Sequence, residues 1–296
     1  MMQSIEEYLK ELKSALKGSD AATIQDALSD AEEHLRSAVT GLRESQPDLG
    51  EAQAFGKAVE QYGTPAETAS AYAEVERRTA PTVTAQGRGT SQPVLNRFFG
   101  IYEDPHAWGT MLYMVVSLVT GIIFFTWVVA GLSISISLSL FIFGLPLAIL
   151  FLLSVRALAL LEGRLVEALL GERMPRRPLF SEQNLKLLER LKVLVTDRHT
   201  WLAMLYMVLQ VVLGIVYFTL VVTFFTISVT FMALPILQSI WVEGVIFIGN
   251  MRIALSPWLY PLAILFGFLL WTGFMHIGRG IGRLHGRYAK ALLVTE

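Results

Sequence analysis

Two aspartate–histidine pairs stand just before the long apolar stretches of this chain. They are Asp104 with His106 and Asp197 with His199. A histidine beside a carboxylate changes charge near neutral pH, so the pairs could form pH-sensitive contacts. An aspartate in front of a helix also caps its first turn. We favour this simpler interpretation, with each histidine at a membrane interface.

A tryptophan and a tyrosine follow each pair at the same spacing. Indole rings anchor at the headgroup level of membranes, so anchoring is the expected role of both tryptophans. The repeated set predicts an interface between two similar parts of the chain, formed by Asp104, His106, Trp108, Tyr113, Asp197, His199, Trp201 and Tyr206.

A late apolar segment is the candidate site for ligand sensing. It contains Trp241 and two charged residues, Glu243 and Arg252, which are the only charges between residues 237 and 257. Charges in apolar sequence are costly unless they are paired or hydrated, which makes them functional candidates. They could pair with each other, line a ligand pocket, or lie exposed at lipid headgroups, and we favour exposure.

Three arginines between the apolar regions could bind anionic lipid headgroups. They are Arg173, Arg176 and Arg177. Basic residues beside a membrane most often set topology, and that role explains them equally well.

Hydroxyl side chains alternate with apolar ones in two places, at Ser133–Ser139 and at Thr226–Thr230. A period of two is typical of a strand, but an open strand is not stable in lipid. Two alternatives follow. One is a hydroxyl-lined helix start, and the other is an extended segment buried between two units, which would form a ligand cavity.

Patterns for catalysis and metal binding are absent from the sequence. The chain has no cysteine, which excludes disulfides and thiolate sites. Asp30, Glu32, Glu33 and His34 are close in sequence, but Glu33 and His34 point in different directions around a helix, so a solvated acidic face is expected. No Ser/His/Asp arrangement, HExxH motif or glycine-rich phosphate loop occurs. We expect no enzymatic activity, no cofactor and no metal.

Long uncharged segments predict helices that cross a membrane. No charged residue occurs from Ala107 to Val155, about twice the length that a hydrocarbon core of about 30 Å requires. A tight reversal at residues 130–133 would divide this segment. Four spans are predicted, near residues 108–130, 133–155, 201–224 and 258–277. The segment before the last span is expected to be an interfacial helix or a re-entrant segment.

An internal repeat relates the two apolar regions. The sequence Asp104–Met114 recurs as Asp197–Met207, 93 residues later, and PLAILF occurs at Pro146–Phe151 and again at Pro261–Phe266. Such self-similarity indicates a tandem duplication. The predicted membrane domain, residues 97–296, therefore consists of unit one (97–180) and unit two (181–296), each a hairpin of two spans.

Positive charge predicts the orientation of these spans. The connection from Arg156 to Arg198 holds nine Lys and Arg, the tail after Ile277 holds four of the same kind, and the turn near Gly131 holds none. Cytoplasmic loops are enriched in Lys and Arg. Both termini are therefore expected in the cytoplasm, and the two units enter the membrane in the same sense as a parallel repeat.

Residues 1–78 predict a small soluble helical bundle, here called the head. The head carries fifteen acidic and eight basic residues, against ten and sixteen in the rest of the chain, so nucleic acid is not an expected partner. Four helices are expected. Gly63 ends the third, and Thr64-Pro65-Ala66-Glu67 begins the fourth with a capping box. The start lacks an apolar core, so no signal peptide is expected, and residues 79–96 are expected to form a flexible linker.

The head resembles the HAAS domain of bacterial membrane proteins. The resemblance is carried by YLKELKSALK, DALSDAEEHL and FGKAVEQYGTPAETASAYA, and it covers residues 4 to about 76. It implies a cytoplasmic signalling or interaction module, often encoded near PadR-type regulators, with no enzymatic residues.

The membrane domain resembles the "putative sensor" domain family over about residues 97–293. The resemblance is carried by two Trp-x-x-x-x-Tyr starts (Trp108–Tyr113 and Trp201–Tyr206), a glycine-containing first span, and the sequence Gly-x-Pro-Leu at Gly144–Leu147. Domains of that family often precede a histidine kinase. The sequence contains no kinase, so a phosphorelay role does not transfer to it.

These features together predict an all-α protein: a small soluble helical bundle followed by a polytopic four-span membrane domain built from a parallel tandem repeat. The predicted function is a membrane sensor that relays a membrane or envelope signal to a cytoplasmic partner through the head. Expected partners are membrane lipids, a cytoplasmic protein such as a PadR-type regulator, and a second copy of the chain, because the head core is thin. The alternative is a transporter or an accessory subunit of an ABC transporter, which the lack of acids in the predicted spans disfavours.

Overall fold

The computed structural model describes residues 4–46, 48–79, 98–138, 144–175, 187–240, 246–248 and 251–294. Side chains are not described at 76–79, 187, 188, 190, 246–248 and 251–253. Within these ranges the chain is helical, apart from short turns and one small hairpin.

The head consists of four helices: α1 (Ile5–Ala15), α2 (Ala21–Ser45), α3 (Glu51–Tyr62) and α4 (Pro65–Thr79). Asp20 is the N-cap of α2, where its carboxylate accepts from the amide of Ala22 at 2.9 Å. The predicted capping box is present at α4, because the Glu67 carboxylate accepts from the backbone N–H of Thr64 at 2.8 Å. Polar side chains therefore fix where these helices start.

A tyrosine anchors the core of the head. Tyr8 is fully buried, and its hydroxyl lies 2.9 Å from the backbone oxygen of Gly63 and 3.0 Å from the hydroxyl of Thr68. Gly63 adopts a φ of 105°, a conformation that favours glycine, at the end of α3. Burial is the main reason that the pKa of Tyr8 is raised. The first helix is thereby tied to the α3–α4 turn.

Four later helices are long and apolar enough to cross a membrane, which confirms the predicted helical, four-span fold. They are α5 (Pro105–Leu138), α6 (Gly144–Leu170), α8 (Arg198–Ile240) and α9 (Tyr260–Leu293), and the shorter α7 (Leu187–Thr196) precedes α8. Each is longer than the span predicted for it.

The predicted reversal at residues 130–133 is wrong, because α5 continues through Gly131 to Leu138. The alternating hydroxyls of Ser133–Ser137 are therefore in the last turns of α5, and those of Thr226–Thr230 are inside α8. In a helix, hydroxyl groups bond to the preceding turn. The Ser133 hydroxyl does so, at 2.7 Å from the backbone oxygen of Val129. Neither a helix start nor an extended segment forms there.

The segment before the last span also differs from the expectation. Helix α8 extends to Ile240, and the strands β1 (Ile246–Ile248) and β2 (Met251–Ile253) then pair in antiparallel fashion with Ile248 opposite Met251. An interfacial helix at these paired residues is therefore wrong. The Gly249-Asn250 sequence between the strands is a typical two-residue hairpin signal. The prediction for this segment was based on its charged and apolar residues and did not use that signal.

Helices α5 and α8 pack closely at the centre of the membrane domain. A methyl group added at Gly121 would lie 2.8 Å from the backbone oxygen of Gln210, and one added at Gly214 would lie 2.4 Å from that of Ser117. Small residues let helix backbones approach in membranes. The two contacts are equivalent under the 93-residue spacing, which relates Gly121 to Gly214 and Ser117 to Gln210, so the two helices contribute matching surfaces.

The head contacts one end of this helix bundle. The ammonium group of Lys290, near the end of α9, is paired with the carboxylate of Asp20 at the start of α2. Ala21 of the head packs against the apolar cluster that contains Leu293 of α9. We call this the head-facing end, where α5 and α8 begin and α6 and α9 finish.

Candidate functional site

The predicted aspartate–histidine pairs act as helix caps. The Asp104 carboxylate accepts from the backbone N–H of His106 at 3.0 Å, and the Asp197 carboxylate accepts from that of His199 at 3.1 Å. This is the capping arrangement favoured from sequence. It holds the starts of α5 and α8 in the same geometry.

The two predicted tryptophans make matching contacts beside these caps. The Trp108 indole donates to the backbone oxygen of Tyr102 at 3.0 Å, and the Trp201 indole donates to that of Val195 at 2.7 Å. Both rings are about half exposed, which suits an amphipathic ring at a membrane interface.

Two arginines cross between the halves of the membrane domain to reach the caps. Arg156 on α6 lies 2.5 Å from Asp197 at the start of α8, and Arg279 on α9 lies 3.1 Å from Asp104 at the start of α5. Each half therefore supplies the cation for the other half's cap. The contact of Arg156 with Asp197 is also a charge-assisted hydrogen bond, a type that is among the stronger hydrogen bonds in proteins.

The two predicted tyrosines meet at the centre of the domain. Tyr113 is 1% exposed, Tyr206 is 0% exposed, and their hydroxyl oxygens are 3.4 Å apart. Each lies about two turns beyond its helix start, so the pair is on the head-facing side of the bundle. Buried tyrosine hydroxyls need partners, and the neighbouring helices provide them.

Glu162 on α6 is one of these partners, although the predicted spans end before it. The residue is fully buried, and its Oε1 accepts from the hydroxyls of Tyr113 at 2.7 Å and Tyr206 at 3.0 Å. The predicted spans contain no acid, and Glu162 lies in the part of α6 that extends beyond them. A buried ionisable group inside a membrane helix marks a functional candidate.

His285 on α9 faces the same two hydroxyls from the opposite side. Its Nε2 lies 2.6 Å from the Tyr113 oxygen and 3.0 Å from the Tyr206 oxygen, and its Nδ1 lies 3.1 Å from the Tyr217 hydroxyl. The amide nitrogen of Gln210 donates to the Tyr113 oxygen at 3.0 Å. We call this set the central cluster, formed by Tyr113, Glu162, Tyr206, Gln210, Tyr217 and His285.

The central cluster has more acceptors than protons. Each tyrosine hydroxyl carries one proton, so it can donate to Glu162 or to His285 but not to both at once. Among the described residues, Oε2 of Glu162 and Oε1 of Gln210 have no hydrogen-bond partner. Adding or removing a single proton therefore changes which bonds the cluster makes. A small chemical event at this point can alter how four helices are held together.

The second helices of the two halves also match. Each of the ten buried residues of α6 has a buried counterpart in α9, 123 residues later, and this spacing relates Glu162 to His285 and Arg156 to Arg279. The corresponding sequence signal is LEGRLVEALL at Leu161–Leu170 against LHGRYAKALL at Leu284–Leu293. Aligning these two segments by their shared glycine and arginine places Glu162 and His285 at the same position of the repeat.

The PLAILF repeat, by contrast, does not mark matching positions. Its spacing is 115 residues, and it would align Phe151, which is 7% exposed, with Phe266, which is 49% exposed. For aligning α6 with α9, shared apolar residues are therefore less reliable than shared glycine and charged residues.

The other predicted site residues lie apart from the central cluster. Arg173 is half-buried in the segment after α6. Arg252 belongs to β2, and its side chain is not described. Trp241, Glu243, Arg176 and Arg177 fall outside the described residues. Within the described ranges, no group of three or more His, Cys, Asp or Glu could hold a metal ion.

A model of one protein family matches residues 113–293, under the description "Putative sensor". No curated protein and no solved structure matches the chain. The matched range begins at Tyr113, contains every residue of the central cluster, and covers more than half of the sequence. The chain therefore belongs to the "Putative sensor" family.

Proposed function

We propose that this protein is a membrane sensor whose central cluster responds to the state of the membrane helices, and whose head passes that state to a cytoplasmic partner. Family membership and the four apolar helices support the sensor role. The proposal assigns no enzymatic role to the cluster and needs no cofactor.

The observation that carries the proposal is a direct connection along α9. His285, in the central cluster, and Lys290, which pairs with Asp20 of the head, are five residues apart on this helix. Five residues of helix rise about 7.5 Å. A rotation or shift of α9 that follows a change at His285 therefore moves the attachment point of the head. Asp20 also caps α2, the longest helix of the head, so that movement reaches the start of α2 directly.

The orientation and the partner belong to the same proposal. The excess of Lys and Arg in the connection and in the tail supports a head-facing end on the cytoplasmic side of a bacterial inner membrane. The HAAS-like sequence of the head supports a signalling partner such as a PadR-type regulator. The head core is small, and we further propose that two copies of the chain associate.

Glu162 also gives some weight to a second function, transport or service as an accessory subunit of an ABC transporter. Buried acids in membrane helices occur in coupled transporters. Flux of a substrate into liposomes that contain only this protein would favour transport. Its absence, together with a response of the head, would favour sensing.

The sensor proposal can be tested with spin labels at two introduced cysteines, since the native chain has none. Lys17 of the head and Arg287 of α9 are exposed positions for the labels. We expect Glu162→Gln to lengthen or broaden the distance between the labels in lipid nanodiscs. Glu189→Gln, at an exposed acid of α7, is the matched control and should leave the distance unchanged. Identical distances for both variants would contradict the connection.

A further inference from the structure

A groove between α5 and α6 lies away from the central cluster, toward the opposite end of the bundle. Its volume is about 180 Å³. The lining comes from both helices and is almost entirely apolar; it consists of Trp127, Gly131, Ile134, Ser135, Leu147, Leu150, Phe151 and Ser154. We call it the unit-one groove.

The unit-one groove opens on the outer surface of the helix bundle. Leu150 is 64% exposed, Ile134 is 50% exposed and Trp127 is 48% exposed. All three belong to helices that are apolar enough to cross a membrane. Contact between such an apolar surface and water is unfavourable, so we expect hydrocarbon to surround it.

The matching place in the other half of the domain is filled by the protein itself. The 93-residue spacing pairs Gly131 with Phe224, and the 123-residue spacing pairs Phe151 with Phe274. The rings of Phe224 and Phe274 are stacked, with centroids 4.6 Å apart and planes 8° from parallel. Aromatic contacts of this kind add to the gain from burial.

Gly131 has no side chain of its own, and the Phe151 ring lies where a side chain at this position would begin. A methyl group added there would lie 2.2 Å from the ring of Phe151, so that ring packs directly on the glycine backbone. The space beside it is the groove. Its volume is of the order of the roughly 150 Å³ cavity that holds a benzene molecule in an engineered protein. One half of the domain thus carries a built-in ring, and the other half leaves room for an apolar group from outside.

Polar recognition does not explain the groove. The indole of Trp127 donates to the hydroxyl of Ser154 at 2.8 Å, so these two groups satisfy each other. Among the described residues, the Ser135 hydroxyl has no partner, and neither does that of Ser228 at the matching place in α8, beside Phe224. Glycine at 131, where the other half has Phe224, is the difference on which the comparison of the two halves rests; Leu150 and Ser154 also differ from their counterparts, Gly273 and Ile277.

We propose that the unit-one groove is a binding site for one acyl chain of a membrane lipid, which packs against the Phe151 ring as the Phe224 ring packs against Phe274 in the other half. The site is independent of the sensor proposal, because it uses none of the central cluster and none of the head contacts.

The test uses the full-length protein in phosphatidylglycerol vesicles that contain a phospholipid with a diazirine in its acyl chain. After illumination, mass spectrometry maps the labelled residues. We expect labelling to concentrate at Trp127, Leu150 and Phe151 and to saturate as the labelled lipid increases. Gly131→Phe should reduce it to the level of other exposed apolar positions, and Phe224→Gly should create new labelling around Phe274.

A filling variant that fails to fold would be recognised by loss of helix content or of a single elution peak. Leu150→Trp, which fills the groove from its exposed edge, then replaces it. Labelling spread evenly over both halves would overturn the proposal. So would labelling of the groove that persists in a folded Gly131→Phe or Leu150→Trp variant. Neither result bears on the distance between head and α9, so the two proposals fail separately.

Discussion

Glu162 and His285 share the hydroxyl of Tyr113, which lies 2.7 Å from Oε1 of the first and 2.6 Å from Nε2 of the second. A carboxylate and an imidazole are thus separated by one hydroxyl group inside a membrane domain. Hydrogen bonds are electrostatically stronger in such a low-dielectric interior, and unpaired polar groups are costly there. The cluster is therefore a sensitive point in the fold.

Removing the shared hydroxyl should destabilise the membrane domain. Tyr113→Phe leaves Glu162, His285 and Gln210 with fewer partners in a buried site, and a buried polar group left unpaired costs about 1–3 kcal/mol. We expect a lower midpoint of thermal unfolding in detergent. Tyr260→Phe, at a partly exposed tyrosine at the start of α9, is the control. Equal midpoints of thermal unfolding for both variants would show that the Tyr113 hydroxyl does not stabilise the domain.

The close crossing of α5 and α8 predicts intolerance of small additions. Gly214→Ala places a methyl group 2.4 Å from the backbone oxygen of Ser117, and overpacking typically costs about 1–3 kcal/mol. Helix content should persist while the unfolding midpoint falls. Gly273→Ala is a matched control on α9, because nothing lies within 4 Å of the added group. If both alanine variants melted alike, the helices would not cross as closely as described.

The contact between Asp20 and Lys290 predicts that the Lys290 amine is protected from acetylation. Asp20→Asn retains a side chain that can cap α2 but loses the charge. An ion pair of this exposure contributes up to about 1 kcal/mol, so acetylation of Lys290 should accelerate by up to about fivefold. Mass spectrometry after a short acetylation pulse measures the rate. Asp48→Asn, at an exposed acid of the head, should have no effect, and an equal rate in the Asp20 variant would exclude the contact.

The capping box of α4 predicts a pH dependence. The backbone and side chain of Thr64 donate to Glu67 and hold the pKa of its carboxyl below the usual 4.5. A carboxyl with a lowered pKa stabilises the fold at higher pH, and this contribution is lost as the pH falls through the lowered value. Amides at the start of α4 should therefore exchange more slowly in the wild type than in Glu67→Gln at neutral pH.

As the pH falls through this lowered pKa, the difference between wild type and Glu67→Gln should shrink, because the protonated glutamic acid no longer accepts two bonds as a carboxylate. Comparing the two proteins at each pH removes the intrinsic pH dependence of exchange. A constant ratio over the whole range would show that the capping bond does not depend on charge.

Caps and apolar stretches predicted much of this architecture. Asp20, Gly63 and the Thr64–Glu67 box mark helix ends through local chemistry, which a sequence displays directly. The ends of the membrane helices were harder to predict, because the charge of Arg156 indicates the end of a span. In the structure that charge is paired with Asp197, and α6 continues for 14 residues beyond it, to Leu170.

Only part of the central cluster could be predicted from the sequence, again because the helices extend beyond the predicted spans. Tyr113 and Tyr206 repeat in similar surroundings, so their spacing identifies them. Glu162 and His285 occupy matching places with different chemistry, and both lie beyond the ends of the predicted spans. A comparison of two segments identifies the residues that they share. Here the chemistry depends on Glu162 and His285, which occupy the position where the two segments differ.

That difference bears on how such a domain can evolve. An assembly of two identical hairpins would place the same side chain at the positions of Glu162 and His285, and two carboxylates or two imidazoles would then face each other across the tyrosines. Joining both hairpins in one polypeptide removes that restriction, because each half can change alone. An acid opposite a base, and an open groove opposite a stacked ring, are asymmetries that two identical hairpins could not keep.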